Sequence, residues 1–248
     1  MKEWITGRNP VYETLKARRR ECFRLLVSGS AEEKGRLHEI IRLAQERHVA
    51  PVYVQRQQLD NLSENHQGVA LEASGYPYSD LLTILEKGQK RQEPIFILAL
   101  DVIQNPQNLG TLLRSAEAVG VHGVLMPLAR AAGVTPAVVN ASAGASEHML
   151  VASINLAQAL DTLKEEGAWV IGLEGGTDAT PVEKVNLKGP LVVVVGSEGD
   201  GMRLLTRKHC DVLLKLPMQG QIESLNAAVA GSIVLYMAMM ARQQGGSR

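Results

Sequence analysis

Residues 196–201 run Gly-Ser-Glu-Gly-Asp-Gly directly after the apolar run Leu191–Val195. A valine-rich run of that kind reads as a strand of a parallel sheet covered on both faces. Ligands of open α/β sheets sit beyond the carboxyl ends of such strands, and glycines there let backbone turn sharply and press close to a ligand. The spacing Gly-x-x-Gly-x-Gly is neither the dinucleotide fingerprint nor the phosphate loop that ends in Gly-Lys-Ser/Thr. A different ligand is therefore expected, with Glu198 as the carboxylate at the mouth. Two further segments carry polar side chains in suggestive places. Asp101–Arg114 reads as a strand end, a turn and a helix, with Asn108 near its cap and Arg114 six residues further on. Leu216–Ala230 reads as a strand end followed by Ser224 and Asn226 at the opening of the last helix. The small residues after them allow close backbone approach. Singly, each piece is also what an ordinary capped helix or strand-to-helix turn looks like, Ser224 serving as a simple N-cap.

The elements that must position these residues fall into two series. Over residues 1–75 the signals are small: a helix opened by Asn9-Pro10, a strand Cys22–Val27, a helix within Glu32–Arg47 with Leu37, Ile40, Ile41 and Ala44 at helical spacing, and strands Pro51–Val54 and Val69–Ala73. Residues 76–94 have the composition of a linker, with one helix over Ser79–Leu85. From Ile95 to the end, strands alternate with helices, which predicts a mainly parallel sheet with helices on both faces. The last helix, Ser224–Arg242, is apolar nearly all round but too short for a membrane span. It is expected to pack on the sheet with one side and on a second subunit with the other.

Composition narrows the function. The 248 residues carry 26 basic and 26 acidic side chains, so no global charge draws the chain to nucleic acid, and aromatics are only 4%, so a surface that binds single strands by stacking on many rings is not expected. The dense basic cluster Lys16, Arg18, Arg19, Arg20 and Arg24 is either a helix end complementing its dipole or a phosphate contact. Cys22 and Cys210 suggest no disulfide framework, and the first residues lack a signal-peptide core, so a cytoplasmic location is expected. No histidine pair stands at metal-ligand spacing, and no Gly-x-Ser-x-Gly marks a hydrolase. A nicotinamide dehydrogenase would need a dinucleotide fingerprint near the start of the larger domain, where none occurs.

In order and spacing, Asn-Leu-Gly-x-x-x-Arg at 108–114, Gly-x-Glu-Gly-x-Gly at 196–201 and Pro-Met with Ser-Leu-Asn-x-x-x-Ala at 217–230 resemble the SpoU/TrmH-type RNA ribose 2′-O-methyltransferases of the SPOUT superfamily. The likeness spans the chain. Ile5–Val11, His66–Val69, Ser142–Ala145 and Arg203–Asp211 resemble the bacterial 23S rRNA guanosine-2′-O-methyltransferase subgroup. The resemblance implies an L30e-like RNA-binding domain over 1–75, and a catalytic domain over 95–248 whose chain forms a deep trefoil knot. It further implies S-adenosylmethionine as methyl donor without a metal, a homodimer, and RNA rather than DNA or membrane as partner. Gly196, Leu216, Leu225, Leu173, Gly175 and Met218 fall at cofactor-binding positions, and Asn108, Arg114, Glu198, Ser224 and Asn226 at catalytic ones. Glu223 departs from the pattern, since relatives often carry a small residue before Ser-Leu-Asn. A tRNA substrate and a non-catalytic rRNA assembly factor remain the alternatives.

A ribose hydroxyl is a poor nucleophile, so methyl transfer requires alignment with the sulfonium methyl and stabilisation of oxygen as its proton leaves. A guanidinium is too weak an acid to serve as a base. Arg114 is therefore expected to stabilise the developing alkoxide and grip a phosphate, held by Asn108 and Glu198, with a phosphate oxygen or water taking the proton.

Overall fold

The computed structural model describes residues 2–129, 131–199 and 201–245. Its chain divides into two units, Met1–Pro77 with Gly133–His148, and Tyr78–Ala132 with Met149–Arg248.

The first unit contains β1 (Lys2–Thr6), α1 (Arg8–Ala17), β2 (Cys22–Ser28), α2 (Arg36–Glu46), β3 (Pro51–Val54), α3 (Arg56–Asp60) and β4 (Val69–Ser74). The sheet order is β1-β4-β2-β3, with β4 antiparallel to both neighbours and β3 parallel to β2. The apolar stripe of α2 is buried at Leu37, Ile40, Ile41 and Ala44, as its spacing predicts. α1 begins earlier than the Asn9-Pro10 signal, at Arg8 after Gly7, whose φ of 89° suits glycine. Pro10 is then the third helical residue, where its missing N–H has no intrahelical partner to lose.

The basic cluster does not form one surface. Arg20 is fully buried, its Nε and Nη2 donating to the two carboxylate oxygens of Glu147 at 2.8 and 2.9 Å. Its Nη1 reaches Glu3 at 2.8 Å and the Ser74 carbonyl at 2.9 Å. Arg19 donates to the Tyr76 hydroxyl and to the carbonyls of Glu147 and Pro77. Burial pushes the Tyr76 phenol up to about 12, so it stays neutral and donates to the Ser146 carbonyl. These bonds tie in α6 (Pro136–Ala141) and the 3₁₀ turn Ala145–His148. Part of the stretch 95–248 is therefore held within the first unit. Gly144 makes the approach possible: a Cβ there would stand 2.7 Å from Cβ of Glu13.

The second unit contains α4 (Leu81–Arg91), β5 (Phe96–Leu100), α5 (Pro106–Ala118), β6 (Gly123–Pro127), β7 (Val151–Ile154), α7 (Leu156–Glu165), β8 (Trp169–Leu173), β9 (Thr180–Pro181), β10 (Leu191–Val195), α8 (Leu204–Lys208), β11 (Val212–Lys215) and α9 (Ala227–Gly245). The strands are ordered β7-β6-β5-β10-β8-β11-β9, and every pairing is parallel. β10 lies between β5 and β8 with all five residues buried, as a valine run in a two-sided sheet requires. Residues 81–91, within the stretch that reads as linker, form a full helix. Asp80 caps it by accepting from the Thr83 amide at 2.7 Å, and Ile84 seats on Gly123, where a Cβ would lie 2.5 Å away.

α9 starts three residues later than its composition suggests. Ala228, Val234, Leu235 and Ala238 are buried, whereas Val229, Ile233, Tyr236 and Met240, spaced four, three and four apart, form an exposed stripe. Among the described residues no helix is long and apolar enough to cross a membrane.

His122 couples this unit to pH. Fully buried, its Nδ1 accepts from the Phe96 amide at 2.9 Å, and its Nε2 faces Glu93 at 3.1 Å. Burial holds its pKa below the ordinary 6.5, against the pull of Glu93. The unfolded chain therefore binds this proton first, so the contribution of neutral His122 is complete above pH 6.5 and declines as pH falls through the depressed folded value. Urea unfolding of wild type should lose stability below pH 6.5 by up to about 1.4 kcal/mol per pH unit for this one proton. His122→Leu should be flatter there, and parallel curves would refute the assignment.

Candidate cofactor cleft and catalytic cluster

The glycine loop is tightly closed. The Ser197 amide donates to the Gly201 carbonyl at 3.0 Å and the Gly201 amide returns a bond at 3.2 Å. Gly199 and Gly201 have φ of 90° and 68°, and a Cβ on Gly196 would lie 2.4 Å from the Gly201 carbonyl carbon. No side chain fits there, because what it would meet is backbone. Behind the loop, Asp101 is fully buried just past β5. Its carboxylate accepts from the Arg203 amide and Nε, each at 2.7 Å, with Nη2 at 2.6 Å. Asp101 thus pins the loop's far end to the central strands. The sequence signal for it is a charge abutting an apolar strand end; Arg203 offers no such signal.

Beyond the carboxyl ends of β8, β10 and β11 opens a cleft of about 750 Å³, within the 300–1,000 Å³ usual for small-molecule sites. Leu173, Gly175, Gly196, Leu216, Met218 and Leu225 all line it, as do Glu198, Ser224 and Asn226. Glu174, Lys215 and Glu223 join them, none of which stands in the motif set. Glu174 accepts from Arg207 Nε at 3.1 Å, and Lys215 donates to the Gly176 carbonyl at 3.0 Å. An adjoining hollow of about 200 Å³ is lined by Val102, Ile103, Gln104, Asn105, Asn108, Ser197 and Glu198. Val102 has φ of 62°, a conformation rare for a β-branched residue and found where surroundings over-determine the backbone.

Asn226 joins the three sequence segments. Its side-chain amide donates to Asn108 Oδ1 at 3.1 Å and to Glu198 Oε1, while its own Oδ1 accepts from the amides of Ala228 and Val229 at 2.9 and 3.1 Å. Asn226, rather than Ser224, therefore caps α9. The cap of α5 is Asn105, which accepts from the Gln107 amide at 2.8 Å.

Arg114 is placed differently from the expectation that Asn108 and Glu198 hold it. It is exposed and, among the described residues, makes no hydrogen bond or ion pair and lines neither cavity. The cause is helical geometry. Six residues at roughly 100° each put Arg114 about 120° around α5 from Asn108 and about 9 Å along it. α5 packs beside α9, with Ser115 and Ser232 hydroxyls 2.8 Å apart. Gly231 lets the helix close on Leu112 and Val195, a Cβ there lying 2.7 Å from Leu112.

A parallel sheet whose carboxyl-end loops close a small-ligand cleft, joined to a small α/β unit, defines a two-domain enzyme-like architecture. The chain belongs to the SpoU rRNA methylase family: that family's profile matches residues 95–236, and the profile described as RNA 2′-O ribose methyltransferase substrate binding matches residues 4–79. Among relatives, a Bacillus subtilis (strain 168) protein whose name places it in the TrmH family of tRNA/rRNA methyltransferases, YacO, is 41% identical over 239 residues, covering 94% of each chain. A Mycolicibacterium vanbaalenii protein that bears the name of an uncharacterized tRNA/rRNA methyltransferase is 41% identical over 245 residues, 98% of this chain and 77% of the relative. In fold, the chain is similar to the SpoU methyltransferase AviRb of Streptomyces viridochromogenes, solved in complex with AdoMet, with a TM-score of 0.81 at 22% identity, covering 98% and 92% of the two chains. The architecture is thus the SPOUT fold.

Proposed function

We propose that the protein transfers a methyl group from S-adenosylmethionine to a ribose 2′-hydroxyl of RNA, in the cytoplasm and as a homodimer, with a guanosine of 23S rRNA as target. The observation that carries this reading is the meeting of three segments distant in sequence, at Asn108, Glu198 and Asn226, where the cleft adjoins the hollow. The cleft suits the donor: its wall at Gly196–Gly201 is closely turned backbone, Leu173, Leu216, Met218 and Leu225 offer apolar surface, and Glu174, Glu198 and Glu223 outnumber Lys215 for a cationic sulfonium. When bound, the donor supplies an electrophilic methyl. Asn226 holds Glu198 and Asn108 in place between cleft and hollow, and the hollow beside Asn108 is where a ribose enters. Ser224 shapes the wall.

Arg114 supplies charge stabilisation at the 2′-oxygen and grips a phosphate. Because α5 turns it away from its own cleft, it serves the site of a second copy. The exposed stripe Val229, Ile233, Tyr236 and Met240 on the neighbouring helix supports such a dimer. The family's description as rRNA methylases supports an rRNA target, the match at residues 4–79 supports RNA binding by the first unit, and the likeness to SpoU structures supports the knot. Calorimetry with S-adenosylmethionine should give saturable one-to-one binding per chain. Ribose-methylation mapping of RNA from a strain lacking the protein should show one lost 2′-O-methyl in 23S rRNA. A chain that takes up no S-adenosylmethionine overturns the reading, and a mark lost from tRNA instead overturns the substrate.

A further inference from the structure

The sheet of the first unit has one face packed under α1 and α2 and one face only partly covered. On the covered face lie Ile5, Leu25, Leu71 and Ala73, all fully buried. On the other face α3 caps one end, where Leu26, Leu59 and Ala70 form a small cluster with Trp4 against it. Beyond Trp4 the face carries the exposed Lys2 and Arg24 beside the half-buried Phe23. Register puts Trp4 opposite Glu72 and Glu72 opposite Arg24, so the three form a row across β1, β4 and β2. Lys2 follows two residues from Trp4 on the same face.

The two neighbours of β4, β1 and β2, exchange cations across it. The Arg24 guanidinium lies 5.1 Å from the Trp4 ring centroid, and the Lys2 ammonium lies 4.3 Å from that of Phe23. Phe23 stands at the register shift between Cys22 and Arg24. Arg24 is steadied by Glu72 at 3.5 Å yet leaves 52% of its side chain exposed. The whole chain has two Trp and two Phe, and one of each lies on this small patch.

We infer that this open face, with Trp4, Phe23, Arg24 and Lys2, is a stacking platform for unpaired bases of the substrate RNA. The inference rests on the reading of the chain as an RNA methyltransferase and adds the surface and the RNA conformation. Bases splayed from a loop stack on aromatic rings and on guanidinium planes, which duplex RNA cannot offer its bases to do. Arg24, set over the Trp4 ring and paired with Glu72, presents a guanidinium already positioned, so less side-chain entropy is lost on binding. The two cations complement phosphates, and Glu72, whose side chain is only 17% exposed, is already paired with Arg24. Of the basic cluster 16–24, this assigns Arg24 to RNA, with Arg19 and Arg20 internal. Lys16 and Arg36 instead flank Tyr12 on the helical side, at 5.6 and 3.9 Å.

The test is fluorescence anisotropy of the full chain with a labelled mixed-sequence single-stranded RNA and a blunt RNA duplex of equal length. Trp4→Ala and Phe23→Ala should each weaken single-strand binding roughly ten- to a hundredfold and duplex binding far less. Trp4 also packs on the small cluster, so Arg24→Glu should give a loss of the same order, and Arg24→Gln, which sets no second carboxylate opposite Glu72, should lose affinity while keeping the unfolding midpoint. Lys16→Glu should change affinity less than about twofold, as for a charge outside the footprint. S-adenosylmethionine uptake should be unchanged throughout. Equal losses from Arg24→Glu and Lys16→Glu, or no loss from Arg24→Glu and Phe23→Ala, would overturn the inference while leaving the methyltransferase reading intact. A wild-type chain that binds neither RNA would instead remove the reading beneath it. Should light scattering find that Phe23→Ala lowers the assembly mass with RNA affinity unchanged, the face joins copies of the chain and the platform is wrong.

Discussion

Arg114→Ala should bind S-adenosylmethionine as wild type does and lose turnover by about 10²–10³, the range found when one preorganised charge-stabilising donor is removed. The structure separates this from a folding effect. Arg114 is exposed and, among the described residues, unbonded, and truncation of such a surface side chain changes stability by no more than about 0.5 kcal/mol. The stronger test concerns which site it serves. Asn226→Ala breaks the link to Asn108 and Glu198 and should also be inactive. If Arg114 acts on the partner's cleft, refolding the two inactive variants together gives dimers with one intact site in half of the molecules, and about a quarter of wild-type activity returns. If Arg114 acts on its own cleft, every cleft of a mixed dimer lacks either Arg114 or Asn226, and no activity returns. Turnover at saturating donor, measured on the separate variants and on the mixture, decides it.

Glu147→Ala should destabilise the first unit by about 3 kcal/mol, the low end of what breaking a buried ion pair costs, because Glu3 still faces Arg20. Arg20 has a fully buried side chain and Glu147 one only 1% exposed, so the guanidinium left behind cannot regain water without opening the structure. The double variant Arg20→Met, Glu147→Leu should recover most of the loss, since it removes both desolvated charges at similar volume. Urea unfolding followed by fluorescence would measure both. A single variant as stable as wild type would mean that the pair is open to water, and a double variant as weak as the single would mean that packing rather than charge is at stake.

Much of the site was legible because it depends on local backbone requirements. A valine run followed by glycines reads as a buried strand and a close turn, and the structure closes the Ser197–Gly201 loop on itself at the end of β10. The positions that the resemblance assigned to the cofactor do line one cleft. Helix ends were less legible. Ser224 and Asn226 are both good caps by residue type, and only the amides of Ala228 and Val229 distinguish them. Asp101 shows a third case: its charge stands out beside an apolar strand, but its partner Arg203 lies 102 residues away.

By itself the sequence determined the parallel sheet, the glycine turn beyond its central strand and the family motifs, since each follows from residues within one turn or one strand of each other. Tertiary structure alone decided that Asn226 bridges Asn108 and Glu198 while Arg114 faces elsewhere, and that Arg19 and Arg20 point inward to fasten residues 144–148 rather than outward to phosphate. The reason is physical. Periodicity reports which residues share a face of their own element, but a charged side chain's partner is chosen by long-range packing, and a desolvated arginine is stable only where a distant carboxylate has been brought to meet it.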